Sequence, residues 1–443
     1  MISKISNAKI DGKIIKEDIK PSFPRYENKW RKTLFFLCNE GLLLTLKKIF
    51  SVLRKTNYET KIIGAKINRI YDAVSYDGGE NYYVTDLVTD KKNWNNPFSY
   101  DFYNPILVSN KYDKQFSVRT NNLFLYGSGS YARTYVNSSF QKSQLYCGVD
   151  YNDLILKSIK HQFKFIFNHV NETFALWNKA IKPIGLICTF HSDHANIAYQ
   201  LYQKNPNGFI FIEKPPVVTW EDIALIKELY NKGCKLEIGF NRRYTKFISK
   251  VKTLLGNYPK IITISVNELQ ITEDHWYYWQ NQGTRIIGNL CHWIDLSQYL
   301  INAKPIHITL LPSSKSREDI VLNIAYEDGS LASIIITDKG NNLRGVQELI
   351  EIKENGMTIL IEDFIKMIIF FRDGRKKIYK SWYRDKGHNK MYKSFVKNVR
   401  SNSFKTKYLF NDFIATSFIT LKAVEMLKNG LKTSDIRNFD KEM

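Results

Sequence analysis

The segment from Leu123 to Val136 reads LFLYGSGSYARTYV, in which an apolar run, a glycine turn and a helical pattern follow one another. Short apolar runs and helical patterns continue to alternate after it. Strands that alternate with helices build βαβ units, and the strands of such units lie parallel in one sheet. The sequence therefore predicts a parallel α/β sheet over residues 118–237. The other segments of this pattern are QLYCGVDYND, GLICTF, SDHANIAYQLYQK, GFIFIEK and TWEDIALIKELYNK.

A different pattern begins near residue 238. The chain becomes rich in β-like segments, among them KIITISVNEL, HITLLP, IVLNIAYEDGSLASIIIT and LIEIKENGMTILIED. The tripeptide Glu327-Asp328-Gly329 separates two apolar runs, which is a hairpin signal. From about residue 389 to 431 the pattern is helical. Residues 238–443 are therefore predicted to form a second α/β domain with a largely antiparallel sheet.

Residues 1–117 lack this regularity. They contain a basic helix candidate from Trp30 to Lys55, two β-like pieces (KIIGAKINRIYDAV and ENYYVTDLV) and an Asn-rich aromatic loop, NWNNPFSYDFYNP. The polar face of the helix candidate could lie on an anionic membrane surface. Because Asn39, Glu40 and Gly41 interrupt its apolar face, packing against another domain is favoured. We predict a separate N-terminal extension, to which the sequence assigns no role.

The length and the charge limit the classes of protein to which the chain can belong. At 443 residues the chain exceeds what one hydrophobic core usually covers, and domains of about 100 to 200 residues predict two or three of them. The formal net charge is +22, but the lysines are spread along the whole chain and no nucleic-acid-binding motif accompanies them. A diffuse charge that helps to attract an anionic substrate is favoured over a nucleic-acid footprint.

The cysteines indicate a reducing compartment. They are odd in number and far apart, which fits neither a disulfide framework nor a zinc knuckle. No segment reaches the roughly 18 apolar residues that span a bilayer, and the N-terminal segment has no apolar core of a secretory signal. A cytoplasmic location is therefore predicted. The cysteines are Cys38, Cys147, Cys188, Cys234 and Cys291.

The glycine turn fits the pattern G-x-G-x-x-G/A, and it follows a predicted strand and opens a predicted helix. In that context the first two glycines let the backbone turn tightly and approach a pyrophosphate at the helix N-terminus. An acidic residue follows about 20 residues later, at the end of the next strand, where a carboxylate can bind an adenosine ribose and repel a 2′-phosphate. The sequence predicts a dinucleotide site that prefers NAD to NADP. Its residues are Gly127, Ser128, Gly129, Ser130, Tyr131, Ala132 and Asp150.

The stretch FIEKPPVVT, Phe211 to Thr219, places a charged pair at the end of a predicted strand. Solvated charge at a strand end is the simpler interpretation. However, an open parallel sheet binds ligands at the carboxyl ends of its strands, where Lys214 would be a fixed cation suited to stabilising an alkoxide as hydride leaves its carbon. The prolines end the strand, and Thr219 with Asp222 predicts a capping box for the next helix.

The order GSGSYA, EKPP, GFNRRY (Gly239 to Tyr244) and GNLCHWIDL (Gly288 to Leu296) resembles the Gfo/Idh/MocA family of nicotinamide-dependent oxidoreductases, over about residues 120–430. Further segments, DHW, DGS, EDF and DKGH, resemble a subgroup found as the C-terminal half of bi-domain oxidoreductases. In that subgroup the preceding half is a medium-chain dehydrogenase-like domain, for which residues 1–117 are too short. The resemblance implies a Rossmann domain followed by an α/β domain with a largely antiparallel sheet.

The resemblance also implies roles for individual residues. The lysine of the E-K-P motif contacts substrate and cofactor, and the histidine before the I-D-L segment acts in acid–base chemistry; these are Lys214 and His292 here. Histidine has the ordinary pKa that proton transfer near neutral pH requires, although a lone helical histidine is more often a packing residue. Glu213 of the same motif is assigned to the cofactor site.

The family pattern places the loop FHSDHA beside the nicotinamide, with His194 at the usual histidine position and His191 close to it. Their spacing is one that metal ligands use, but zinc needs at least three ligands, so no metal is predicted. Many members carry an aspartate four residues before the catalytic histidine, where this chain has Gly288. Proton transfer then rests on His292 and Lys214 alone, or the chemistry differs from simple polyol oxidation.

A substrate pocket at the domain junction completes the hypothesis, although arginines there are as often structural ion pairs. The leading interpretation is an NAD(P)-dependent oxidoreductase that transfers hydride to or from a sugar, cyclitol or nucleotide sugar, with family context pointing to surface-polysaccharide synthesis. A homo-oligomer is expected, without a nucleic-acid partner. The alternative is a non-catalytic sensor that binds NAD or a sugar on the same fold. The candidate substrate residues are Asn241, Arg242, Arg243, His275, Trp276 and Arg285.

Overall fold

The structure is a computed structural model, and most of the residues that it describes lie at or after residue 123. Most of the predicted helix Trp30–Lys55 and all of the predicted Asn-rich loop lie outside the described residues. Two short strands, β1 (Ala73–Val74) and β2 (Tyr83–Val84), pair antiparallel within the two predicted β-like pieces. The described residues are 33–34, 37, 42, 45–46, 73–74, 83–84, 123–129, 131–136, 139–140, 145–152, 155–156, 159, 162–269, 277, 281–312, 319–340, 345–401 and 403–439.

The predicted parallel sheet is present and has six strands. Their order across the sheet is β5-β4-β3-β6-β7-β8, which is the Rossmann order, and all neighbours pair in parallel. The chain reverses its direction of travel between β3 and β6, and this switch point opens the crevice in which such sheets bind ligands. The strands are β3 (Leu123–Tyr126), β4 (Leu145–Val149), β5 (Phe165–Phe167), β6 (Ile184–Ile187), β7 (Phe209–Glu213) and β8 (Lys235–Gly239).

Helices cover both faces of this sheet. The capping box predicted at the start of one of them is confirmed, because Asp222 N–H donates to Thr219 Oγ1 at 3.2 Å while the Asp222 carboxylate accepts from Thr219 N–H at 3.1 Å. The helices are α1 (Phe174–Lys179), α2 (His194–Lys204) and α3 (Trp220–Asn231), with shorter turns at Ala132–Val136, Val170–Thr173 and His191–Asp193.

The second sheet has nine strands in the order β16-β15-β14-β13-β9-β12-β11-β10-β17. Every neighbouring pair is antiparallel except β9 and β12. The predicted hairpin at Glu327-Asp328-Gly329 joins β11 to β12. The strands are β9 (Lys260–Asn267), β10 (Pro305–Pro312), β11 (Ile320–Tyr326), β12 (Leu331–Thr337), β13 (Gln347–Glu354), β14 (Met357–Glu362), β15 (Lys366–Phe370), β16 (Lys376–Lys380) and β17 (Thr433–Asp435).

Four further helices belong to this half of the chain, and they divide between the two sheets. Residues of α5 and α7 are buried with the inward-facing isoleucines of the nine-stranded sheet. The helix α6 instead packs its Phe395 and Tyr392 against Phe211 of β7, so it covers the parallel sheet. The helices are α4 (Lys246–Lys252), α5 (Cys291–Ile301), α6 (His388–Arg400) and α7 (Phe410–Asn429), with turns at Asn241–Tyr244 and Ile286–Leu290.

The predicted fold class, a Rossmann sheet followed by a largely antiparallel sheet, is confirmed. Strand β16 was not predicted, because its residues KKIYK are mostly exposed and show little apolar periodicity. The parallel pairing of β9 with β12 was not predicted either. Pairing partners far apart in sequence are chosen by tertiary packing, which local pattern does not encode. Among the described helices, none is both long and apolar enough to cross a membrane.

A close backbone approach fixes the start of α6. Gly387 has φ +82°, and a Cβ added there would lie 2.2 Å from the carbonyl oxygen of Asn241. The Asn241 side chain donates to the carbonyl of Lys386 at 2.6 Å, which holds the same two segments together. Only glycine gives both the backbone angle and the space, so the segment Asp385–His388 is firmly seated on the turn that follows β8.

We predict that Gly387→Ala destabilises the protein far more than Gly374→Ala. Gly374, in the β15–β16 turn, has φ +81° but no atom within 4 Å of an added Cβ, so it shares the backbone angle without the contact. The control change should cost about 1 kcal/mol for the left-handed conformation, and Gly387→Ala at least about 2 kcal/mol more for the overlap. Urea unfolding of both variants measures the difference, and equal costs would contradict the close approach.

Candidate functional site

The turn after β3 contains Gly127 and Gly129, and the two differ in how much space surrounds their backbone. Gly127 has φ +83°, and a Cβ there would lie 2.5 Å from the backbone carbonyl of Cys188, so protein packing alone demands glycine. Gly127 N–H donates to Val149 O at 2.8 Å, which ties the turn to β4. A Cβ on Gly129 would meet no atom within 4 Å, so the space over this glycine is open.

Asp150 stands at the carboxyl end of β4, beside this turn. Its Oδ2 accepts from Ser128 N–H at 2.7 Å, and its Oδ1 accepts from Asn152 N–H at 2.9 Å. The Ser128 hydroxyl is buried and has no hydrogen-bond partner among the described residues. An open glycine, an unpartnered buried hydroxyl and an adjacent carboxylate fit a dinucleotide whose pyrophosphate approaches the turn and whose ribose reaches Asp150. Ser130 lies outside the described residues.

Lys214 follows the last residue of β7 and reaches across to the second half of the chain. Its Nζ donates to the carbonyl oxygen of Gly288 at 2.7 Å. Gly288 lies in the turn that leads directly into α5, and α5 begins with Cys291 and His292. The lysine of the E-K-P motif thus contacts the backbone four residues before His292, the histidine that precedes I-D-L. The structure therefore does not show Glu213 and Lys214 as solvated charges, because Glu213 is buried and Lys214 is half-buried.

His292 is buried, with 8% of its surface exposed, and its Nδ1 has no hydrogen-bond partner among the described residues. Burial lowers the pKa of this histidine well below its ordinary value, and the positive charges of Lys214 and Arg242 lower it further. The imidazole is therefore neutral at pH 7. A neutral imidazole with a free ring nitrogen can take a proton from a bound alcohol.

The position where many members of the resembled family carry aspartate is filled by neighbouring rings. A Cβ on Gly288 would lie 3.0 Å from the ring of Tyr277 and 3.2 Å from Cε1 of His191. The His191 and Tyr277 rings are themselves in contact, with centroids 5.3 Å apart. His191 Nδ1 lies 3.4 Å from the carbonyl oxygen of Gln282. A carboxylate is absent from position 288, and aromatic contacts take that space instead.

His194 holds the loops of the site together. Its Nδ1 lies 2.7 Å from Pro215 O and its Nε2 lies 3.2 Å from Thr189 O, so both nitrogens face backbone carbonyls of the loops after β7 and β6. Burial lowers its pKa to about 4, so the ring is neutral and donates to one of these oxygens at a time. Among the described residues, no group of three histidine, cysteine, aspartate or glutamate side chains is close enough to hold a metal ion.

Glu213, the neighbour of Lys214, is buried behind the site. Its carboxylate accepts a hydrogen bond from Tyr392 of α6, and the Tyr392 hydroxyl lies 3.1 Å from that of Tyr131, at the start of the helix after the glycine turn. Burial raises the pKa of Glu213 to about 7. The charged strand end is therefore linked to the cofactor turn through two tyrosines.

The arginines of the predicted substrate set separate into two groups. Arg243 donates to Asp295 at 2.9 and 2.6 Å and to Asp412 at 2.7 Å, and Arg285 pairs with Glu268 at 3.4 Å. The ion pairs of Arg243 and Arg285 are therefore structural.

Arg242 is also paired, with Glu348, but its charge acts on His292. Its guanidinium lies over the ring of Trp293, the residue after His292, at 5.2 Å from the ring centroid. Asn241 is engaged by the backbone of Lys386. His275 and Trp276 lie outside the described residues, so their assignment stays a prediction.

Three residues near Gly288 and Arg242 were not predicted from the sequence: Glu348, Lys386 and Tyr277. Glu348 pairs with both Arg242 and Lys386, and Tyr277 packs on the Gly288 backbone. Glu348 was detectable, because it occupies an inward-facing position of the alternating strand β13, where a carboxylate must be paired. For Lys386 the sequence gave a weaker indication, since it shows only a lysine next to Gly387, immediately before a helix.

No protein-family model and no curated protein matches this chain. Solved structures do. A Sinorhizobium meliloti 1021 protein described as a candidate myo-inositol dehydrogenase is 17% identical, with a TM-score of 0.58, and the match covers 72% of this chain and 100% of that one. An Agrobacterium radiobacter oxidoreductase in complex with NAD+, L-tartaric acid and magnesium is 14% identical, with a TM-score of 0.60, covering 73% and 100%.

A Desulfitobacterium hafniense protein described as a candidate NADPH-dependent oxidoreductase is 15% identical, with a TM-score of 0.59, and the match covers 72% of this chain and 99% of that one. All three neighbours are described as dehydrogenases or oxidoreductases. At these identities the likeness shows the fold, a Rossmann sheet joined to a largely antiparallel sheet. Each of these matches leaves roughly a quarter of this chain uncovered.

We predict that Gly129→Ala keeps the fold but weakens dinucleotide binding at least about tenfold, because the new methyl group fills the open space over the turn. Titration of protein fluorescence with NADH and NADPH measures both affinities. The wild type should bind NADH more tightly, since the Asp150 carboxylate repels a 2′-phosphate.

Gly256→Ala is the matched control, because an added Cβ there makes only ordinary contacts at 3.6 Å and lies outside the turn. It should leave both titrations unchanged. Tighter NADPH than NADH binding by the wild type would contradict the role of Asp150, and an unaffected Gly129→Ala variant would contradict the position of the pyrophosphate.

Proposed function

We propose that the protein is an NAD-dependent oxidoreductase of the Gfo/Idh/MocA family that transfers hydride between NAD(H) and a CH–OH group of a carbohydrate or cyclitol. The observation that carries the proposal is the contact of Lys214 Nζ with Gly288 O at 2.7 Å, at the carboxyl edge of a Rossmann sheet and one helical turn before His292. Ligands of open α/β sheets bind at this edge, next to the switch point.

The two side chains supply the two charges that alcohol oxidation needs. When bound, the nicotinamide accepts or supplies the hydride. His292 is neutral and takes the hydroxyl proton of the alcohol, and Lys214 stabilises the negative charge that develops on the same oxygen. In the reverse direction His292 returns the proton to the nascent alkoxide. No carboxylate at position 288 assists, so the orientation of His292 depends on its packing in α5.

NAD is proposed as the cofactor because both oxygens of Asp150 accept hydrogen bonds beside the turn, where an aspartate disfavours a 2′-phosphate. One structural neighbour is described with NAD+ and another as NADPH-dependent. We further propose a cytoplasmic homo-oligomer with a role in surface-polysaccharide synthesis. Exposed apolar residues on the outer face of the nine-stranded sheet support self-association: Ile261, Leu331, Ile335 and Leu349.

We predict that Lys214→Met abolishes turnover while folding and NADH affinity are retained, because the developing alkoxide loses its fixed cation. Sugars, cyclitols and nucleotide sugars are first screened by the absorbance of NADH. The lost donor removes a hydrogen bond of a charged group, so kcat should fall at least about 100-fold. Lys250→Met, at an exposed position of α4, is the control and should keep full activity. Turnover within a few-fold of the wild type would refute the role of Lys214.

The pH dependence of alcohol oxidation tests His292. Because its pKa is lowered well below the ordinary value of 6.5, the imidazole stays neutral as the pH falls from 8 to 6.5. The value of kcat/KM should therefore fall only at lower pH, when the ring becomes protonated. His292→Asn should lower kcat and remove this acid limb. An inflection near pH 6.5 in the wild type that persists in the variant would assign the proton transfer to another group.

A further inference from the structure

The last strand across the nine-stranded sheet, β16, carries a basic and aromatic surface. Of the twelve residues from Arg372 to Tyr383, five are basic and one is acidic. Trp382 is 95% exposed, more than any other large hydrophobic side chain that the structure describes. Single exposed apolar residues need no explanation, whereas a cluster of them marks an interaction surface. We refer to the following exposed residues as the β16 patch: Lys376, Lys377, Ile378, Lys380, Trp382 and Tyr383.

The pairing of β16 with β15 places the strand residues of the patch together. Lys376, Ile378 and Lys380 alternate along the strand, so they lie on one face of the sheet. Ile378 lies opposite Ile368 of β15. Lys376 Nζ lies 5.3 Å from the ring centroid of Phe370, the residue opposite it. The edge of the described sheet is therefore an apolar strip bordered by ammonium groups.

Trp382 and Tyr383 continue this surface beyond the end of β16. Together with Lys380 they line a cleft of about 130 Å³, and Lys246 Nζ lies 5.7 Å from the ring centroid of Tyr383. Asp385, the acidic residue of this lining, accepts from the backbone N–H two residues further on, at 3.0 Å. Small-molecule pockets have volumes of about 300 to 1,000 Å³. The cleft is smaller than that, so the patch suits an extended surface and not a small ligand.

The positive charge of the patch is only partly balanced by nearby carboxylates. Lys377 and Lys380 are exposed and form no ion pair with any residue that the structure describes. Asp373, the acidic residue of the segment, is already paired with Arg375 at 2.5 Å. Glu362 of β14 lies 4.0 Å from a lysine of β15. The patch therefore has charge complementarity to an anionic surface.

Three other roles fit the patch less well. Lysines on an edge strand prevent edge-to-edge pairing of sheets, but that protection needs no exposed tryptophan. A second copy of the chain would bring the same net charge of +22 to this edge and would be repelled. Single-stranded nucleic acids follow a positively charged groove, whereas Trp382 protrudes at the edge of a sheet.

We infer that the β16 patch binds the surface of a phospholipid bilayer that contains anionic lipids. The rings of tryptophan and tyrosine are amphipathic and are enriched at the boundary between lipid headgroups and acyl chains. Each basic residue close to an anionic bilayer strengthens binding by about fivefold. The charge of the whole chain adds a longer-range attraction. The inference goes beyond the proposed function and does not depend on it, because it concerns where the protein binds and not what it converts.

The test is cosedimentation of the full chain with vesicles of phosphatidylcholine, alone or mixed with about one-third phosphatidylglycerol. The wild type should bind the anionic vesicles at least about tenfold more tightly than the neutral ones, and raising the salt from about 50 to 500 mM should weaken this binding. Trp382→Ser should weaken it about tenfold, because a large ring no longer leaves water. Lys377→Gln combined with Lys380→Gln should also weaken it at least about tenfold, because two charges are lost.

The matched controls change other exposed residues. Tyr258→Ser removes another exposed ring, and Lys393→Gln combined with Lys397→Gln removes two exposed lysines of α6. Both controls should leave vesicle binding unchanged. Because every changed side chain is exposed, all variants should keep the urea unfolding midpoint of the wild type.

Three results would overturn the inference. The wild type could bind neutral and anionic vesicles equally. Anionic vesicles could bind both patch variants as tightly as the wild type, which would assign the contact to another part of the chain. The wild type could also fail to bind vesicles and instead bind single-stranded DNA or form dimers, with either property lost in Trp382→Ser. The occupant of the patch would then be a nucleic acid or a second copy.

Discussion

The buried ion-pair network of Arg243 is the interaction on which the geometry of the site depends. Arg243 follows β8 at the carboxyl edge of the parallel sheet, and it donates to Asp295 of α5 and Asp412 of α7 at 2.6 to 2.9 Å. Its guanidinium also lies 4.3 Å from the ring centroid of Tyr408. Since His292 lies one helical turn before Asp295, this network fixes the histidine relative to the sheet edge that carries Lys214. Removing one partner of such a buried pair typically costs about 3 to 5 kcal/mol.

The same junction is reinforced from the C-terminal side by α6. This helix packs on Phe211 of β7, and its Tyr392 donates to Glu213. Gly387, at its N-terminus, touches the turn after β8. Residues distant in sequence from the Rossmann segment thus complete its ligand-binding edge. The site is consequently an interface between the two sheets, which explains how a basic group from residues 386–388 can act on a histidine of α5.

Electrostatics at this interface are set by burial and by an excess of cations. Burial and nearby cations lower the pKa of His292, so its ring is neutral, as the proposed proton acceptor must be. A carboxylate at position 288 would partly cancel that positive field. The packing of Tyr277 and His191 on the Gly288 backbone removes that possibility.

The sequence by itself determined the alternation of strands and helices, the glycine turn with Asp150, the capping box at Thr219 and the choice of Lys214 and His292 as candidate catalytic residues. These features are local: periodicity, turn chemistry and the ends of strands are written in neighbouring residues. Tertiary structure alone decided which carboxylates pair with Arg242, Arg243 and Arg285, and that His194 binds backbone carbonyls. It also decided which distant cations gather around His292. An arginine or histidine looks the same in sequence whether its partner is a buried aspartate, a carbonyl or a ligand, because that partner is chosen by long-range packing.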